Sequence, residues 1–297
     1  MPIRLKEREV CSISATERIE EIMKRACRLK CGLVAALPFV FLLGVLSGCG
    51  RGSAQRGLVV AGSTSVQPFA DHWAEFYMKE HPGRVINVQG GGSSAGIQAA
   101  REGAADIGMC SRELKPEEKE LLEIIVAWDG LAIIVHPKNG IDGLSLEQVQ
   151  GIFSGNIVSW GSLGEPEHVI TVVTREEGSG TRGTFQEMLM KTSRITPRAI
   201  VQDSNGTVRE IVANDPHSIG YISLGLVNEK VKALRFEGVE PSYENIEQKK
   251  YRLIRPFLFV TKGAPNRAAL DFINFVLSRR TQELVRHDGL IPIFRED

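Results

Sequence analysis

The chain has 297 residues, room for about two domains of ordinary size, and its 42% hydrophobic and 24% charged residues are those of a globular protein. Thirty-six basic residues balance thirty-six acidic ones, which argues against a bulk electrostatic grip on nucleic acid or on an acidic membrane surface. Any anion this protein holds must be held locally.

In chain order, Lys24, Arg25, Arg28 and Lys30 precede an apolar run from Gly32 to Leu46, and Leu46-Ser47-Gly48-Cys49 follows. A charged stretch, a short apolar run and small residues before a cleavage point make a secretory signal. The run is shorter than the ~20 residues of a spanning helix, and Pro38 interrupts it. The Leu-Ser-Gly-Cys ending resembles the lipobox of bacterial lipoproteins. That resemblance implies a signal peptide over 1–48, a diacylated Cys49 and membrane attachment on the extracytoplasmic (periplasmic or outer) face. Met23 begins a signal of conventional length and is a candidate true start. Residues 49–56, rich in Gly, Ser, Ala and Gln, read as a lipidated tether. Cys11, Cys27 and Cys31 leave with the signal and Cys49 is acylated, so Cys110 remains alone and no disulfide can form in the mature chain. Burial alone must hold the remaining ~240 residues together.

From Gly57 short apolar runs alternate with amphipathic stretches, the pattern of an α/β protein with a parallel sheet. Residues 58–61 predict a strand, and Thr64-Ser65-Val66-Gln67 has the form of a capping box opening a helix whose face carries Phe69, Trp73, Phe76 and Tyr77. Residues 85–88 predict a second strand and Gly90-Gly91-Gly92-Ser93-Ser94 a turn into a second helix. Strands follow at 106–109, 124–126 and 131–135, with Asp129-Gly130 as a tight turn between the last two. Ser145 to Gln148 looks like another capping box. A strand at 169–173 leads through Glu176-Glu177-Gly178-Ser179-Gly180 to a helix from Thr181. Asn205-Gly206 precedes a further helix, 219–222 and 256–260 are strands, and 268–277 is a C-terminal helix.

Three segments share one design. Gly62-Ser63-Thr64-Ser65, Gly90-Gly91-Gly92-Ser93-Ser94 and Gly178-Ser179-Gly180-Thr181 each follow a strand and open a helix. Helix starts carry unpaired N–H groups and partial positive charge, glycine lets the backbone approach a ligand, and Ser/Thr add donors. Such ends hold anions, although Ser and Thr at any one turn are equally good N-caps. Arg175, at a strand end just before the third turn, offers a fork of donors. Its replacement by alanine is expected to remove most anion affinity with little loss of fold stability. Gly90-x-Gly92-x-x-Ala95 fits a dinucleotide fingerprint loosely, but no ribose acid is clearly placed. Ser179 lacks the nucleophile-elbow pattern, the six histidines lack metal spacing, and Cys110 and Trp160 read as core. No cofactor, metal or catalytic residue is expected.

The order Gly62-Ser-Thr-Ser-Val, Gly90-Gly-Gly-Ser-Ser-Ala-Gly, Asp106-Ile-Gly-Met-Cys-Ser-Arg, Arg175-Glu-Glu-Gly-Ser-Gly-Thr-Arg and Ile219-Gly-Tyr resembles the periplasmic phosphate-binding proteins of phosphate ABC transporters, from about Gly57 to Ile293. The resemblance implies an α/β, two-lobed type II periplasmic binding protein fold with a ligand cleft between lobes and a hinge of two crossing segments near 131–136 and 253–260. Lobe one takes 57–133 and 254–297, lobe two 134–253. It further implies a monomeric substrate-binding protein that is not an enzyme and passes inorganic phosphate to ABC permease subunits. Thr64, Ser65, Ser93, Arg175, Ser179, Gly180 and Thr181 are the implied phosphate contacts, with Ser111 and Arg112 beside them.

One departure stands out. The better-known relatives carry an aspartate where this chain has Ser111, and that aspartate accepts the hydrogen of the protonated phosphate oxygen. Sulfate has no such hydrogen at neutral pH, so a carboxylate repels it and a serine does not. Asp129 is the candidate substitute acceptor, and Arg112 a candidate second positive charge. A binding protein for another tetrahedral oxyanion (sulfate, molybdate, arsenate) and a phosphate-sensing surface protein are the alternatives.

Overall fold

The computed structural model describes residues 57–294; the expected signal, Cys49 and the whole of the 49–56 tether fall outside them. The first half of the fold begins with β1 (Leu58–Gly62), α1 (Gln67–Glu80), β2 (Ile86–Gly90), α2 (Ser93–Glu102) and β3 (Ile107–Cys110), and β1 lies parallel between β2 and β3. Then β4 (Leu122–Val135) runs for 14 residues. The second half holds β5 (Gly143–Leu144), α3 (Leu146–Ser154), β6 (Thr171–Arg175), α4 (Gly180–Phe185), β7 (Ile200–Gln202), α5 (Asn205–Asn214), β8 (Ser218–Ser223), β9 (Lys232–Ala233), β10 (Arg235–Phe236) and α6 (Tyr243–Glu247). The chain returns to the first half through β11 (Ile254–Thr261), α7 (Arg267–Val276) and α8 (Arg279–His287).

The strand order β2-β1-β3-β11-β4-β8-β6-β7 shows how the halves join. The stretch of β4 from Leu122 to Gly130 pairs antiparallel with β11, and Leu131 to Val135 pairs antiparallel with β8. Two strands therefore carry the chain between halves side by side: Ile254 stands opposite Gly130, and the Leu131 N–H donates to the Leu253 carbonyl at 2.8 Å. Such paired crossings bend together, because a tilt of one strand moves its hydrogen-bonded neighbour.

Each half has its own apolar core. In the first, the α1 face of Phe69, Trp73 and Tyr77 meets Phe257, Phe259 and Phe272. In the second, the Phe185 and Tyr221 rings stack 3.9 Å apart with Phe153 against both, an aromatic cluster in which each contact adds ~1 kcal/mol beyond area burial. Trp160 joins this core as expected, and its indole N–H donates to the His217 carbonyl. Tyr221 also reaches the site: its hydroxyl pairs with Thr174 Oγ1 at 2.7 Å and accepts the Arg175 N–H at 3.4 Å, fixing the end of β6. Cys110 is enclosed in the first half; burial pushes its thiol pKa up, so it behaves as a small apolar group.

Two local expectations fail. Asp129-Gly130 is no turn, for both residues sit inside β4 opposite Arg255 and Ile254. The side-chain partners of Asp129 lie far along the chain, on Arg255 and Ser223, and Gly130 is there because a Cβ would meet Ile246 and Leu224 at 2.9 Å. The capping box at 64–67 does not form either. Val66 caps α1 without a side-chain bond, and Ser63 Oγ accepts the N–H groups of Ser65 and Val66 instead. Pro68 lies in the first turn and the Ser145–Gln148 box is present in full, both as the sequence predicts.

Candidate functional site

The three glycine-hydroxyl junctions meet. The Gly92 N–H donates to the Gly62 carbonyl at 2.9 Å, which ties the β1–α1 turn to the β2–α2 turn. The Ser94 N–H donates to the Gly178 carbonyl at 3.1 Å, which ties the second turn to the one after β6. Ser65 Oγ lies 2.6 Å from Thr181 Oγ1 and closes the third side. Gly62 (φ 140°) and Gly92 (φ 88°) occupy backbone conformations that L side chains rarely adopt. Gly180 is needed for space, since a Cβ there would fall on the hydroxyls of Ser93 and Ser111.

Within this cup the hydroxyls are buried and linked. Ser63 Oγ donates to Ser111 Oγ at 2.9 Å, Ser93 Oγ accepts the Ser111 N–H at 3.1 Å, and the Ser93 and Ser111 oxygens lie 3.3 Å apart. Ser179 caps α4 by accepting the Arg182 N–H at 3.2 Å, so Ser179, Gly180 and Thr181 form the first turn of that helix. Of the expected contacts, Ser65, Ser93, Ser111, Ser179 and Thr181 are each at most 2% exposed, deep enough that a ligand among them is stripped of water.

Arg175 is 1% exposed and held on several sides. Its Nε donates to Glu176 Oε2 (2.9 Å) and the Gln202 carbonyl (3.2 Å), and its Nη2 to Glu176 Oε1, Thr64 Oγ1 and the Asp203 carbonyl (2.9 Å each). Thr64 in turn donates to the Asp203 carbonyl at 3.3 Å. The remaining nitrogen, Nη1, is buried and has no hydrogen-bond partner among the described residues. A buried charged donor without an acceptor costs several kcal/mol, so this one fits a site meant to be completed by an anionic oxygen.

Arg112 is brought close to the cup through its stem, which lies against Gly183, but its guanidinium is turned to Glu118. Nη1 and Nη2 donate to the two Glu118 oxygens at 2.7 and 2.9 Å, with both side chains under a tenth exposed. Burial alone would raise the Glu118 carboxyl; the Arg112 hydrogen bonds, the Lys115 N–H and the nearby positive charges outweigh it and hold the carboxyl below its ordinary value. A carboxyl depressed on folding stabilises the fold fully above its unfolded pKa and loses that contribution as pH falls through the folded one. Glu118→Gln is therefore expected to cost about 3 kcal/mol at pH 7. The gap from the parent, read from urea midpoints, should narrow at pH 3, below the unfolded pKa of about 4.3.

Asp129 does not face the cup as a spare acceptor. It is fully buried, accepts Ser223 Oγ on Oδ1 at 2.7 Å and Arg255 Nε on Oδ2 at 2.9 Å, and has Arg255 Nη2 2.8 Å away. Burial pushes the carboxyl up and the Arg255 guanidinium down, and each group's charge opposes the other's shift. Sequence reasoning missed Arg255 and also Asn205, whose Nδ2 donates to Ser65 Oγ at 2.7 Å. An arginine inside the apolar run Leu253 to Val260 was the available signal, since buried charges are kept only with partners.

The chain matches the family model described as "PBP superfamily domain" over residues 49–280. It is 34% identical to the phosphate-binding protein PstS of Bacillus subtilis over 252 residues, which is 82% of this chain and 83% of that protein. Among solved structures, a phosphate ABC transporter substrate-binding protein from Clostridium perfringens, with bound phosphate, is 39% identical with a TM-score of 0.78, covering 80% of this chain and all of that one. An ABC-type phosphate transport receptor from Vibrio cholerae is 38% identical with a TM-score of 0.67, covering 79% and 99%. A two-lobed α/β architecture, three junctions meeting in a hydroxyl-lined cup and these likenesses together assign the fold and the lineage: the chain belongs to the PBP superfamily, in the family of the PstS phosphate-binding proteins.

Proposed function

We propose that this protein binds inorganic phosphate between its lobes outside the cytoplasm and delivers it to the permease of an ABC transporter. The observation that carries the reading is the buried Nη1 of Arg175, without a hydrogen-bond partner among the described residues, beside a cup of helix starts and serine hydroxyls. The family, with its named phosphate binders and phosphate-bound relative, supports the same ligand and the same transport role. Thr64, Ser65, Ser93, Ser111, Ser179, Gly180 and Thr181 surround the anion with Arg175, and Arg112 braces the cup from outside through Glu118.

Residues 57–133 with 254–297 and residues 134–253 move as the two lobes about the β4 and β11 crossings. Phosphate favours the closed form because only there do donors from both lobes reach its oxygens. Cys49 carries the lipid that keeps the monomer at the membrane, two acyl chains being enough for durable anchoring. No helix among the described residues is long and apolar enough to cross a membrane. The protein acts as a carrier and not as a catalyst.

Calorimetric titration tests the ligand. Saturable phosphate binding with sulfate and molybdate weaker supports the assignment, and sulfate binding as tightly as phosphate overturns it in favour of a broader oxyanion carrier. That second reading draws on one feature, the hydroxyl of Ser111 where a carboxylate would exclude sulfate.

A further inference from the structure

Behind the cup, six residues form a closed ring of hydrogen bonds. Asp129 Oδ2 accepts Arg255 Nε, and Arg255 Nη1 donates to Thr181 Oγ1 at 2.8 Å. Thr181 Oγ1 pairs with Ser65 Oγ, which accepts Asn205 Nδ2. Asn205 Oδ1 accepts the Ser223 N–H at 3.3 Å, and Ser223 Oγ returns to Asp129 Oδ1. Asp129, Arg255 and Ser65 belong to the first half of the fold; Thr181, Asn205 and Ser223 belong to the second. The links Arg255–Thr181, Thr181–Ser65, Ser65–Asn205 and Ser223–Asp129 thus all run between halves. Every member is buried.

Asp129 and Arg255 are directly opposed residues on β4 and β11, one and two positions from where those strands cross between halves. Arg255 Nη1 also donates to the Ser111 carbonyl at 3.3 Å. One nitrogen on a crossing strand therefore fastens a cup residue of each half, Ser111 and Thr181. If the halves part, all four linking bonds break together and water must solvate each group. If they close, the ring is satisfied and its two charges cancel inside it.

We propose that the Asp129–Arg255 pair is the closure latch of this protein, with Arg255 the positioning residue that locks Ser111 and Thr181 into binding geometry and slows ligand release. This rests on the phosphate-binding reading above. A latch that engages only after the ligand has entered acts on the rate of leaving and hardly on the rate of arrival.

The test is stopped-flow phosphate binding, with thermal unfolding of each ligand-free variant alongside. Arg255→Ala strands a buried carboxylate and so is a poor probe. The pair is better removed together as Asp129→Leu with Arg255→Met, which takes both charges out and is commonly neutral for stability. Ser223→Ala removes one linking bond, the hydroxyl donated to Asp129 Oδ1, and leaves the Asp129–Arg255 ion pair itself in place. The double variant is expected to keep its melting temperature near the parent's while phosphate leaves on the order of tenfold faster or more, with the association rate within about twofold; Ser223→Ala should speed release about three- to tenfold. Scattering profiles with saturating phosphate should show the double variant less compact than the parent. Parental release rates in whichever of these variants folds would overturn the latch. If the parent itself fails to bind phosphate, the ligand assignment is at fault, and that outcome is separate from the latch.

Discussion

Replacing Arg175 with alanine is expected to weaken phosphate binding by about a hundredfold to a thousandfold. A buried, charge-assisted hydrogen bond contributes about 1.5–3 kcal/mol, and losing the buried partner of a charge costs about 2–5 kcal/mol, with each 1.4 kcal/mol worth about tenfold. The substitution does more than delete Nη1. Glu176, now held on two atoms by the guanidinium, would stand as a free carboxylate beside an arriving anion. Arg175→Ala with Glu176→Gln should therefore recover part of the lost affinity, which separates lost attraction from added repulsion. Arg175→Lys should rescue poorly, because one ammonium cannot reach Glu176, Thr64 and the Gln202 and Asp203 carbonyls from the fixed directions of a planar fork. Titration calorimetry reads all three, and an affinity near the parent's in Arg175→Ala would remove this residue from the site.

The same substitution is no longer expected to leave stability untouched. From sequence, Arg175 could be a strand-end side chain reaching only for a ligand. In the structure its guanidinium is enclosed and satisfies two main-chain carbonyls at the β7–α5 turn. Losing those bonds should cost about 1–3 kcal/mol, visible as a lower urea midpoint without phosphate.

What could be read from the sequence was local chemistry. Glycine and hydroxyl residues between a strand and a helix announce an anion-type turn wherever the turn ends up, and Arg175 was legible because it sits three residues ahead of one. The Ser145 box, Pro68 and the aromatic face of α1 were legible for the same reason, each lying within two or three turns of chain. Illegible parts depend on residues that meet only after folding. Asp129 and Arg255 are 126 positions apart and become neighbours because β4 and β11 pair, so Asp129-Gly130 looked like a turn. Arg112 showed its charge but not its direction, since Glu118 is reached only once the chain curls at Pro116. The cup was therefore foreseen and its backing was not.

Ser111→Asp is expected to convert a site with weak grounds for rejecting sulfate into one that rejects it strongly. Ser63 Oγ already accepts two N–H groups, so its own hydrogen points to Ser111. A carboxylate at 111 would accept that hydrogen and one from Ser93, and turn only lone pairs toward a ligand. Monohydrogen phosphate can answer with its hydrogen, whereas sulfate would set lone pair against lone pair in a pocket without water. Sulfate affinity should fall by about a hundredfold or more while phosphate changes by less than about tenfold, since sites that demand a hydrogen bond discriminate far better than sites that merely fit. The missing Cβ at Gly180, close against Ser111, leaves the neighbouring backbone little to yield to the larger side chain, which sets the cost to phosphate. Competition calorimetry gives the ratio directly, and affinities for both anions that stay at the parent's values mean position 111 does not face the anion. A fall of equal size for both anions means the carboxylate acts only as added negative charge. Sulfate binding should also return as pH drops far enough to protonate the introduced carboxyl, a titration that the parent, with a hydroxyl at that position, has no means to show.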